Sequence, residues 1–152
     1  MSTKIRLIFS NSKYPLSSLI RAVTWSDWSH VAILVDDNLV IESTLAKKGV
    51  MVDSVSNFKA RAKNWAIFDI DIKNPNGVLE AAMSQVGKKY DFTGIVGIGI
   101  HRDWQEDDAW FCSELVLWCL LKSGDLKLKP EAIKRGTPQL CYLICGNLVE
   151  TG

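Results

Sequence analysis

Histidine is the scarcest reactive side chain in this sequence: only His30 and His101 are present, and there is no Cys-x-x-Cys pair. Those shortages remove the spacings that mark a zinc site, so no metal is expected. Charge of one sign is also lacking. A formal net charge of +1 provides no basic excess for gripping nucleic acid. No stretch reaches the eighteen or so unbroken apolar residues that a membrane-spanning helix needs. The start, MSTKIRLIFSNSKYP, has polar residues where a signal peptide would have its apolar run, so the expected location is the cytoplasm. In that compartment the cysteines at 112, 119, 141 and 145 do not read as a disulfide framework. Internal repeats and low-complexity tracts are missing too. Gly94, Gly97 and Gly99 have a suggestive spacing, but no Lys-Ser/Thr pair follows and no strand leads into a helix there, which excludes a phosphate loop.

What is present is an ordinary globular composition, 47% hydrophobic and 23% charged over 152 residues, enough for one domain, 1–152, around a single core. Lys4 to Phe9 alternates and predicts a strand with one buried face. Leu16, Leu19, Ile20 and Val23 predict a short amphipathic helix, followed by the aromatic loop TWSDWS. HVAILV from His30 and LVIES from Leu39, joined by Asp36, Asp37 and Asn38, predict a β-hairpin. Gly49 makes a bend before a strand over Val50 to Val52. Phe58 to Asn64 reads as a polar, basic helical turn or loop, and Trp65 to Ile72 as another strand. Pro75 and Asn76 open a helix whose buried stripe is Val78, Leu79, Ala82, Met83 and Val86, with Gly87 as the stop. Lys88 to Asp108 is irregular. Thr137 and Pro138 are the cap and first residue of a last helix carrying Leu140, Leu143 and Ile144.

The stretch WFCSELVLWCLLK, 110 to 122, is apolar almost all round a helical wheel, the pattern of a buried helix. Glu106, Asp107 and Asp108 precede it, so the helix is expected to begin within a few residues of Cys112. A thiol in that position meets the unsatisfied amides and partial positive charge of a helix start, which favour the thiolate. Cys112 is thus placed for nucleophilic chemistry, although a cysteine in an apolar helix also serves as a small buried hydrophobe. Cys119, Cys141 and Cys145 read as core thiols.

A nucleophilic thiol needs a base, and the base works better when a third polar group orients it. His30 opens a strand whose hairpin partner carries Glu42. With the turn at Asp36 to Asn38, residues whose numbers add to about 74 face one another, so His30 and Glu42 fall on one face within about two positions. The ring is then either a base beside a carboxylate or a strand-edge histidine bonded to backbone. Glu42, amid Val40 and Ile41, is either turned to water or held by a partner. His101, beside Arg102 and Asp103, is a weaker rival for the base. Trp25 and Trp28, just before His30, either wall the site or fill the core.

The blocks SHVAIL, VIES, KGV, KYDF, WFCSELV and TPQL, taken together, resemble the circularly permuted branch of the NlpC-type papain-fold hydrolases, the YiiX and YaeF type, related to lecithin retinol acyltransferases. The resemblance runs from Leu16 to Leu140, with His before Cys. It implies an α+β fold: a permuted papain-like arrangement with an antiparallel sheet packed against the buried helix that carries the thiol at its N-terminus. It also implies Cys112 as nucleophile, His30 as base and Glu42 as the third polar member, acting through an acyl-enzyme without metal or organic cofactor. Tyr90 and Asp91 match a YD element of such proteins, and Tyr90, Trp28 and Ser113 are the expected substrate contacts. The implied substrate is a peptide or other amide, with bacterial cell-wall peptides the usual target of the wider superfamily, reached after lysis or by delivery. An acyl lipid is the second enzyme option, and a binding module that keeps the fold without turnover is the non-enzymatic one.

Overall fold

The computed structural model describes residues 3–12, 21–22, 26–44, 47–90, 109–124, 129, 133 and 136–152, with backbone alone at 90, 109 and 110. All but Arg21 and Ala22 of the helix expected from Leu16 to Val23, and most of the irregular region from Lys88 to Asp108, lie outside the described residues, as does most of the connection from Lys127 to Arg135.

Eight strands form one sheet in the order β7-β6-β4-β3-β2-β1-β5-β8. They are β1 (Lys4–Ser12), β2 (His30–Leu34), β3 (Leu39–Thr44), β4 (Gly49–Ser54), β5 (Ala62–Asp71), β6 (Lys89–Tyr90), β7 (Ala109–Trp110) and β8 (Leu148–Thr151). Neighbours are antiparallel except β6 and β7, which run parallel at the edge. Four helices accompany the described strands: α1 (Val55–Arg61), α2 (Pro75–Ser84), α3 (Cys112–Lys122) and α4 (Pro138–Leu143). No helix among the described residues is long and apolar enough to cross a membrane.

The hairpin forms in the expected register, with Ile33 opposite Ile41 and Leu34 opposite Val40. Its turn is made by Asp36, whose Oδ1 accepts the backbone N–H groups of Asn38 (2.7 Å) and Leu39 (2.8 Å), the local bond that favours aspartate in turns. β1 differs from expectation. Beyond Arg6 both faces are buried, Ile8 and Ser10 as well as Leu7 and Phe9, because each face of the sheet is covered. One face packs Leu7, Phe9, Val31, Ile33 and Ile41 against α2, α3 and α4, and the other packs Ile8, Ala32, Leu34 and Val40 against Val55 and Phe58 of α1.

The helix starts follow their caps. Ser54 accepts from Asn57 N–H at α1, Asn74 from Gly77 N–H ahead of Pro75 at α2, and Thr137 from Leu140 N–H ahead of Pro138 at α4, each meeting a donor that the helix leaves open. The predicted stripe of α2 is narrower than its sequence pattern. Val78 and Ala82 are fully buried, whereas Met83, inside the helix, is 52% exposed and Val86, beyond the helix end at Ser84, is 40% exposed. Leu143 on α4 is likewise exposed. β6, β7 and β8 have no strong sequence signature: the first two are two residues long, and β8 is exposed along its length.

Candidate active site

α3 is buried on nearly every side, with Leu115, Val116, Leu117, Cys119 and Leu120 inside the core. Its first residue is Cys112 and its cap is Phe111. A phenylalanine side chain accepts no hydrogen bond, so the first turn is satisfied from within: the Glu114 carboxylate accepts the Phe111 N–H at 3.3 Å. That is the returning half of a capping box. The acidic run Glu106 to Asp108, expected to supply the cap, lies outside the described residues. Ser113 donates its hydroxyl to the Gly136 carbonyl at 2.8 Å and is fully buried. That bond ties the start of α3, at a residue expected to touch substrate, to the turn that leads into α4.

His30 enters the site from the first position of β2. The chain before it is anchored. Asn11 donates to the Asp27 carbonyl (2.9 Å) and accepts the Ser29 N–H (3.0 Å), so the approach to the histidine is pinned to the end of β1. The ring's Nε2 lies 2.6 Å from Oε2 of Glu42. A side-chain hydrogen bond joins the same ring to Cys112. With Nε2 taken by the carboxylate, Nδ1 is the nitrogen left for sulfur. Cys112 is 1% exposed and the His30 side chain 19%, so solvent meets this pair at the imidazole.

Burial alone would push the His30 pKa down. The hydrogen bonds to Cys112 and Glu42 and the negative charge of both override it, raising the pKa to about 10. Glu42 has no exposed side-chain surface, and burial alone would raise its pKa. The His30 bond and charge, together with Arg61, win and hold it below its ordinary value. Cysteine sulfur, imidazole and carboxylate, drawn from α3, β2 and β3, are thus brought into one hydrogen-bonded line.

Two further residues of this site were not legible as site residues in the sequence. Arg61, the last residue of α1, bonds Oε1 of Glu42 and approaches Oδ2 of Asp53 at 3.4 Å. The phenyl ring of Phe58, one turn earlier, stacks on the His30 ring. The signal available for Arg61 was Glu42 itself: a carboxylate in an apolar strand demands a cationic or donor partner, but the sequence offers both Lys47-Lys48 and the cluster from Lys59 to Lys63 and does not choose between them.

The other anticipated residues fall differently. Trp28 packs against Phe9, with ring centroids 6.0 Å apart, and against the core. Tyr90 pairs with Trp110 through its backbone, its side chain being outside the description. Asp91 and His101 lie outside the described residues. Burial pushes the remaining thiols up, Cys119 and Cys145 to about 12 and Cys141 well above the thiol range. Among the described residues no three His, Cys, Asp or Glu side chains group as metal ligands.

Helix-borne thiol, sheet-borne imidazole and a sheet covered on both faces, with histidine ahead of cysteine along the chain, define a permuted papain-like fold. The chain belongs to the C92 family of permuted papain-like amidase enzymes, the YaeF and YiiX type, whose model matches residues 6–136. Among solved structures it is similar to that of the metalloprotein yiiX from Escherichia coli O157:H7, with a TM-score of 0.61 and 23% identity. The likeness covers 77% of this chain and 63% of that one, so the chain spans under two thirds of the length of that relative. No curated protein matches in sequence. The described residues do not form the ligand set of a metal ion.

Proposed function

We propose that this chain is a thiol amidase in which Cys112 is the nucleophile, His30 the proton carrier and Glu42 the group that orients the ring. One observation carries the reading: the hydrogen-bonded line from Cys112 through His30 to Glu42. A ring that stays protonated to about pH 10 rests at neutral pH as imidazolium beside Cys112, the partner that activates a cysteine for attack on a carbonyl.

The thiolate adds to the amide carbon, forming the C–S bond, and the C=O electron pair moves onto oxygen. The Cys112 N–H, at the first helical position and without an acceptor inside the helix, is placed to meet that oxyanion. Collapse breaks the C–N bond, and the amine leaves with the proton that His30 gives up. Neutral His30 then takes a proton from water, whose oxygen attacks the thioester. Breaking of the C–S bond releases the carboxylic acid and restores the ion pair. Glu42 keeps Nε2 bonded throughout and offsets the charge on the ring.

The substrate class that fits is a peptide or peptide-like amide, and cell-wall peptide fragments are the first pool to try. Iodoacetamide labelling from about pH 5 to 9 tests the thiol. Selective modification of Cys112 well below pH 8, abolished in His30→Ala, supports the amidase. Slow labelling with the same pH dependence in both proteins marks a binding module without turnover and overturns it. Mass spectrometry of Cys112 after incubation with cell-wall peptides or with acyl lipids separates an amide substrate from an ester or lipid one.

A further inference from the structure

Glu42 is a costly side chain to bury. Its carboxylate has no exposed surface, yet each oxygen has a separate charged partner: Oε2 meets His30 and Oε1 meets Arg61. An ionised carboxylate taken out of water stays charged only when its charge is matched and its lone pairs are occupied. The imidazolium is shared with Cys112, and Arg61 supplies the carboxylate with a second cation.

We infer that Arg61 is a positioning residue of the thiol site, holding Glu42 ionised and aimed at Nε2 of His30, with Asp53 and Asn57 holding Arg61 in turn. The inference rests on the reading of Cys112, His30 and Glu42 given above. Arg61 lies at the end of α1, where its Nε donates back to the Asn57 carbonyl at 3.3 Å. Its terminal nitrogen is shared between Glu42 and Asp53. Asp53 is itself fixed by Asn57 Nδ2 at 2.9 Å and the Ser54 N–H at 2.7 Å. The guanidinium also sits 5.7 Å from the centre of the Phe58 ring, whose face stacks on His30. Cys112, His30, Glu42, Arg61 and Asp53 thus stand in one line, with the sign of charge alternating from His30 onward. They come from α3, β2, β3, α1 and β4 in that order, and Lys47 adds positive charge near Asp53. A forked guanidinium suits this double engagement better than an ammonium does.

The sign of the effect follows from the charges. Without Arg61, Glu42 takes up a proton more readily, the imidazolium loses its counter-charge and the thiolate loses the imidazolium. The acid limb of Cys112 alkylation then moves to higher pH. In Arg61→Ala the limb is expected to rise by about one pH unit, with a smaller rise in Arg61→Lys. In a Glu42→Gln background the Arg61→Ala change adds no further shift, because the group it acts through is already neutral. If Arg61→Ala does not fold by circular dichroism, Arg61→Gln takes its place. A purely structural arginine lowers thermal stability and leaves the limb where it was. An unmoved limb in both the neutral and the lysine variant, with labelling still dependent on His30, overturns the inference and spares the thiol site. Labelling indifferent to His30 overturns the thiol site, and the inference with it.

Discussion

The phenyl ring of Phe58 lies against the imidazole of His30, centroids 5.4 Å apart and planes 23° from parallel. Phe58 is buried in the small core beneath α1, so this contact fixes the ring from its face and leaves the two in-plane nitrogens to their hydrogen-bond partners. Phe58→Ala is expected to cost about 3–5 kcal/mol of stability, read by urea unfolding. Phe58→Leu keeps most of the volume, so it is expected to fold while labelling Cys112 more slowly at pH 6 than wild type. Equal rates in the two proteins would show that packing on Phe58 does not orient His30.

Removing the carboxylate behind the ring has two separable effects. Glu42→Ala leaves Arg61 and His30 facing each other without their shared anion, and breaking a buried pair from one side costs about 3–5 kcal/mol. Glu42→Gln keeps the shape and is expected to fold, with amidase activity lower by about 10²-fold or more. Activity within twofold of wild type in the glutamine variant would remove Glu42 from the site.

Stability should depend on pH through the same two groups. The folded pKa of His30, about 10, is above its ordinary 6.5. Its contribution is therefore complete below about pH 6.5 and is lost as pH rises toward 10. Glu42 is held below its ordinary 4.5, so its contribution is present above about pH 4.5 and is lost as pH falls through the lowered value. Urea midpoints measured from pH 4 to 10 should peak between these bounds, and the alkaline decline should flatten in His30→Ala. The same decline in both proteins assigns it to other groups.

The four thiols should differ sharply in reactivity. Burial pushes Cys119 and Cys145 up to about 12, and Cys141 donates weakly to the Ser113 carbonyl at 3.7 Å. At pH 7 a limiting amount of iodoacetamide is expected to modify Cys112 in the native protein and all four cysteines in urea, as read by peptide mass spectrometry. Cys145 is the half-buried one. Native labelling of Cys145 as fast as that of Cys112 would contradict the expectation.

Gly49 is where β4 and β6 come closest. A Cβ there would sit 2.1 Å from the Lys88 carbonyl oxygen, the same oxygen that accepts the Val50 N–H at 2.8 Å. Gly49→Ala should force the two strands apart and cost about 1–3 kcal/mol. Thermal unfolding measures the cost, and faster hydrogen exchange at Val50 locates it. An unchanged melting temperature would mean that β6 yields freely.

Local chemistry determined a large share of this molecule without help from the fold. Alternation, a turn aspartate, Pro75 and the cap at Thr137 write themselves into neighbouring residues, so the hairpin, its register and the starts of α2 and α4 were legible along the chain, whereas α1, expected as a turn or loop over Phe58 to Asn64, starts three residues earlier at Val55. The pairing of His30 with Glu42 belongs with them, because a hairpin's register follows from its turn. Tertiary structure alone decided the rest. Ile8 is buried because α1 closes the second face of β1, and Val86 falls outside the core stripe because α2 stops at Ser84. Arg61 reached Glu42 across nineteen positions of sequence, and Cys112 reached His30 from a helix laid on the sheet. A side chain's periodicity tells which way it points, but its partner is set by which elements pack together, and that choice is made by the whole core at once.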